Sequence, residues 1–133
     1  MTNDVPRDDP LHALVLDAAE VDRAAIAGAL KGRVGIDSKS GRAVLSPGFN
    51  GLDSRAKVMA VLLARKAAHL LDLADVETMA YKEVVEASGL PPGTVAPSLK
   101  DLREGHLVAQ NDAKAYYVPN AQINAAVGLL TSE

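Results

Sequence analysis

The chain has 133 residues, enough for one domain with an extension; 48% are hydrophobic and only 3% aromatic, so its core must be Ala, Val and Leu packing, which favours helices. The absence of cysteine excludes disulfides, thiol catalysis and thiolate metal sites. The net charge is −3, no apolar run reaches the length of a membrane span, and residues 1–10 are acidic and polar rather than a signal peptide, so a cytoplasmic protein is expected.

Residues 1–10, with Pro6, Pro10 and the pair Asp8-Asp9, are expected to form a disordered leader. Residues 11–50 read as an N-terminal helix and hairpin extension. Leu11 to Ala19 is apolar and fits either a strand (His12 to Leu16) or a helical turn. Val21 to Leu30 is Ala-rich, with Val21, Ala25, Ile26 and Leu30 near helical spacing, Asp22 in the first turn and Lys31 in the last, both matching the helix dipole. Val34 to Asp37 and Arg42 to Leu45 flank Ser38-Lys39-Ser40-Gly41, which predicts a hairpin with the glycine at positive φ. Phe49, the only Phe, is expected to anchor the connector after the hairpin.

Residues 51–133 read as a second unit. Asp53 or Ser54 caps a long helix to about Leu73, with more apolar positions than one stripe needs, so it is expected to bury two faces, one against the N-terminal region or a second subunit. Tyr81 to Ser88 is a short helix with Val84 and Val85 facing inward. Gly89-Leu-Pro-Pro-Gly93 is turn chemistry. Thr94-Val95 opens another helix, in which Val95, Leu99 and Leu102 share one face and Gly105-His106 are the stop. Leu107 to Gln110 and Ala115 to Val118 are short strands around Asn111 to Lys114, with one of Tyr116 and Tyr117 facing the core. After Pro119, Asn120 is a candidate cap for a tail helix with Ile123, Ala126, Val127 and Leu130 on one face.

Helix, turn, helix and hairpin in this order resemble the winged helix-turn-helix module, over residues 54–118. The expected fold is mostly α with small β-hairpins (α+β): a winged helix-turn-helix core, the N-terminal helix and hairpin extension, and a C-terminal helix. In that family the second helix usually enters the DNA major groove while the hairpin touches flanking backbone. The resemblance therefore implies a transcriptional regulator or accessory factor on duplex DNA, with Thr94, Ser98, Lys100 and Arg103 contacting DNA from the helix and Lys114 and Tyr116 from the hairpin. Two departures stand out. Such helices commonly carry Arg or Lys after the Thr-Val pair, where this chain has Ala96, Pro97 and Ser98. Family members place glycine directly before the Leu-Val strand start, where this chain has His106, one of the residues that tolerate a left-handed backbone.

Charge distribution adds to this reading. Lys31 to Lys66 holds eight basic residues against Asp37 and Asp53, while the rest holds six basic and fifteen acidic. Folded into one surface, Lys39, Arg42 and Lys57 within that segment would supply sequence-independent affinity for phosphates. The poorly basic second helix and the negative total favour the alternative, a winged helix used as a protein-interaction module in a larger complex. The apolar surplus of the long helix and the tail predicts a homodimer.

Support for catalysis or cofactors is thin. His69 and Asp72 are three apart, but one nitrogen and one oxygen need a third ligand, and Asp75 is the only neighbour to supply it. There is no Walker loop, dinucleotide fingerprint or nucleophile elbow. The two prolines of Gly89 to Gly93 remove amide donors that a phosphate cradle needs, and Ser38 to Gly41 is best read as a plain turn. The expectation is a binding protein with no metal or cofactor, not an enzyme.

Overall fold

A computed structural model describes residues 10–11 and 22–131. The expected leader, apart from Pro10, and the strand or turn at His12 to Leu16 lie outside these residues. Helix α1 (Arg23–Leu30) starts two residues later than expected, because Asp22 is its cap: the Asp22 carboxylate accepts from the Ala25 N–H at 2.9 Å. Strands β1 (Val34–Ile36) and β2 (Ala43–Leu45) pair antiparallel, with Val34 opposite Leu45 and Ile36 opposite Ala43. Their loop is drawn in by Asp37, whose carboxylate accepts from Ser40 Oγ (2.6 Å) and Ser40 N–H (2.8 Å). Gly41 has φ +73, and a Cβ there would strike the Leu73 carbonyl, so glycine is required twice over.

After a 3-10 turn (Pro47–Gly51) that buries Phe49, Asp53 caps helix α2 (Ser54–Leu70) by accepting from the Ala56 N–H at 2.8 Å. This helix is the hub. It packs against α1, β1, helix α3 (Tyr81–Ser88), helix α4 (Pro92–Glu104) and helix α5 (Ile123–Thr131), and Val58, Met59, Val61, Leu62 and Leu63 are all buried. The second face is thus covered by N-terminal elements of the same chain. The tail helix likewise buries Ile123, Ala126 and Leu130 against α1 and α2, while at the end of α2 Leu70 is half-buried and Leu71 exposed. The helix α2 ends at Leu70 rather than Leu73. Asp72 turns left-handed (φ +60), and the Asp72 and Leu73 amides double back to the His69 and Ala68 carbonyls.

Met79 then forms an isolated bridge with Tyr116, exchanging two backbone bonds of 2.8 and 2.7 Å. Helix α3 is capped by Glu83, which accepts from the Ala80 N–H at 3.0 Å, and stops at Gly89 (φ +72). Helix α4 begins at Pro92, two residues before the expected Thr94, so Pro97 sits in its interior and cannot donate to the Gly93 carbonyl. Its end is as foreseen. His106 adopts φ +63, and the His106 and Leu107 amides return to the Arg103 and Leu102 carbonyls, both at 3.0 Å.

Strand β3 is only Ala109–Gln110, because the Leu107 and Val108 amides are committed to the Leu102 carbonyl. It pairs antiparallel with β4 (Tyr116–Tyr117). The turn between them is organised by Asn111, whose side-chain oxygen accepts from the Ala113 and Ala115 amides, both at 2.9 Å, with Lys114 at φ +64. Pro119, not Asn120, caps the 3-10 turn (Asn120–Gln122) that runs into α5. The described chain is therefore mostly helical with two small antiparallel hairpins, an α+β arrangement around α2. None of its helices is long and apolar enough to cross a membrane.

Candidate nucleic-acid interface

Helix α4 sorts its residues sharply. Val95, Leu99 and Leu102 are buried, as their spacing requires, and Lys100 and Arg103 stand exposed on the other side. Thr94 is half-buried. Ser98 is a correction: it is 5% exposed, and its hydroxyl donates to the Thr94 carbonyl at 2.9 Å, so it faces the core and is spent on its own helix. Asp101 and Glu104 share the exposed side, so the outward charge of α4 sums to zero. Lys114 is exposed at the second hairpin's turn. Tyr116 and Tyr117 are both half-buried, and Tyr116, the one expected to contact DNA, is the one packed against the core.

The basic segment does not act as one patch. Lys66 is 2% exposed, and its ammonium donates to Glu77 Oε1 (2.6 Å) and the Val118 carbonyl (2.8 Å), tying α2 to the loop before α3 and to the end of β4. Arg65 donates to the Thr78 carbonyl and to Glu83 Oε2, both at 2.8 Å. Arg33 donates to the Ala29 carbonyl at 2.8 Å. Lys57 is half-buried, its ammonium 5.7 Å from the centre of the Phe49 ring, close enough for cation–π attraction. Of the residues expected to bind phosphates here, Lys39 and Arg42 are exposed, on the first hairpin.

Two carboxylates near these groups are shifted. The Ser40 hydroxyl and then the Ser40 amide hold Asp37 below its usual value. The Ala80 amide, then the Arg65 guanidinium, hold Glu83 below its own. Arg42 borders a cleft of about 440 Å³ between the first hairpin and α3, which also contains the Arg65–Glu83 pair and Glu86. Its charges alternate in sign, so it offers no concentrated field.

Tyr81 and Lys82 were not foreseen as members of this surface. Both are exposed at the start of α3, and the Tyr81 hydroxyl donates to the Pro92 carbonyl at 2.9 Å, fixing the first turn of α4. A tyrosine opening the helix before the turn was the signal that could have found them. Of the histidines, His69 and His106 lie among the described residues and have structural roles: His69 Nδ1 donates to the Ala74 carbonyl at 3.1 Å, and His106 terminates α4. Among the described residues, no group of three His, Asp or Glu side chains is placed to hold a metal ion. No protein family model, curated protein or solved structure matches this chain.

Proposed function

We propose that the chain is a winged-helix protein that binds duplex DNA, as a regulator or accessory factor. The element order supports this: α2, the Met79 bridge, α3, a tight turn at Gly89, α4 and then the β3–β4 hairpin. The observation that carries it is the split of α4, with a buried stripe seated on α2 and Lys100 and Arg103 turned to solvent. On this reading Thr94, Lys100 and Arg103 face the groove, Lys114 and the exposed part of Tyr116 meet flanking backbone, and Lys39 and Arg42 add phosphate contacts from the first hairpin. Mobility shift of random duplex at two salt concentrations tests it: binding must appear at low salt and weaken steeply as salt rises.

A second reading, a winged helix that docks a protein partner, is favoured by one observation. Asp101 and Glu104 cancel Lys100 and Arg103 on the outward side of α4, an arrangement better suited to a mixed-charge protein surface than to phosphates. A symmetric homodimer is proposed alongside either reading. Light scattering at tens of micromolar, an order-of-magnitude working range, decides between monomer and dimer.

A further inference from the structure

The first hairpin is a two-stranded ribbon, and its ladder leaves one edge facing an apolar groove. The Asp37 N–H donates to the Arg42 carbonyl (2.9 Å) and the Ser46 N–H to the Arg33 carbonyl (2.8 Å). With this register, Arg33–Ser46, Gly35–Val44 and Asp37–Arg42 are the hydrogen-bonded pairs, so the N–H and C=O groups of Val34 and Ile36 point away from β2. Among the described residues nothing pairs with that outer edge of β1. Beside it runs a groove of about 330 Å³ floored by Ile26, Leu30, Leu70 and Leu71. Leu71 is 55% exposed, and among the described residues the charged groups on the rim are Arg23 and Lys31, both cations with no carboxylate among them. The Asp22 carboxylate is turned onto the α1 amides, and Arg23 Nη2 donates to the Leu70 carbonyl (3.2 Å), which fixes one end of the rim.

We infer that this groove docks an extended segment of a partner protein, apolar at alternate positions and flanked by acidic residues, which adds as a strand to the edge of β1. Strand addition supplies main-chain hydrogen bonds from Val34 and Ile36, and the groove takes every second side chain, which is how period-two pockets select a sequence. The cationic rim sets the flanks: Asp or Glu at the ends meets Arg23 and Lys31, and Lys at those places is repelled. An open strand edge against apolar surface is a site that invites pairing. This surface involves α1, β1 and the end of α2, so it is independent of how α4 is used.

The test is an amide NMR titration of the full chain with two capped peptides of alternating Val and Thr, one with Asp at each end and one with Lys. The Asp-ended peptide is expected to shift the Val34 and Ile36 amides and slow their hydrogen exchange by about tenfold or more, and Lys31→Glu is expected to weaken it by about tenfold. Leu71→Asp, at an exposed position, is expected to abolish the shifts without changing the spectrum of α4. The proposal is overturned if the Lys-ended peptide binds equally well, or if the shifts fall elsewhere. It is also overturned if the Val34 and Ile36 amides are already protected before peptide is added, which would mean that this chain or a second copy covers the edge.

Discussion

In helix α2 the cations Arg65 and Lys66 are turned onto protein acceptors, whereas in α4 Lys100 and Arg103 stand in solvent with no side-chain partner among the described residues. The two helices pack on one another through apolar stripes; Lys100 and Arg103 lie off that seam, while the acceptors of Arg65 and Lys66 come from outside α4, at Thr78, Glu83, Glu77 and Val118. At Arg65 and Lys66 a cation on the hub helix becomes a structural tie, whereas Arg55 in its first turn is exposed. On a helix with a single buried side, a cation becomes part of a surface. Counting charge along the chain cannot separate these fates, because both helices carry Lys and Arg.

The contrast between the two helices depends most on the seam. Leu99→Ala removes a buried side chain between α4 and α2 and is expected to cost about 3–4 kcal/mol in urea unfolding, within the range for core leucines. A loss below about half a kcal/mol, the scale of surface changes, would mean that α4 is not seated on α2. Next is the buried tie. Lys66→Ala leaves the Val118 carbonyl and Glu77 without their donor and is expected to cost about 2–3 kcal/mol, since Glu77 regains some water; Lys66→Met, which keeps the packing, should cost about 1–2. Lys100→Ala is expected to stay within about 0.5 kcal/mol of wild type. Equal costs at positions 66 and 100 would erase the distinction between the two helices.

Much of this was legible where interactions are local. The Asp53 cap, the positive φ of Gly41 and the left-handed stop at His106 each depend on residues within one turn, and the sequence pattern carries them; Asp22, expected inside the first turn of α1, is instead its cap. The fates of Lys66 and Arg65 were not legible. Their partners Glu77, Val118 and Glu83 lie 11, 52 and 18 residues away, and no spacing rule reaches that far. Ser98 is different: it stands three after Val95 and four before Leu102, which is the buried face, so its burial was readable and missed. Which elements cover the apolar surplus of α2 was not legible either, since α1 lies more than twenty residues upstream of it.

Smaller effects lie at the ends of α3 and on the first hairpin. Glu83 is held below its usual pKa by the Ala80 amide and Arg65, so it contributes stability that is full above the usual glutamate value of 4.5 and lost as pH falls through its depressed folded value. The stability gap between wild type and Glu83→Gln should therefore be present at neutral pH and close in acid, as followed by urea midpoints. A gap independent of pH would mean that the carboxylate charge is not what caps α3. For DNA, replacing Lys39 and Arg42 by Ala should weaken binding modestly and flatten the log–log salt slope by about 0.9 per lost phosphate contact, while leaving the fold intact. An unchanged slope would remove the first hairpin from the interface.

Whether the exposed cations of α4 meet DNA is decided by the salt dependence of duplex binding for wild type beside Lys100→Ala/Arg103→Ala. Wild type is expected to shift random duplex at low salt. The double variant is expected to bind more weakly and to lose discrimination between duplex sequences, with an unfolding midpoint close to wild type. Wild type that binds no duplex at low salt, or a double variant that binds and discriminates as wild type does, would contradict the DNA-binding reading.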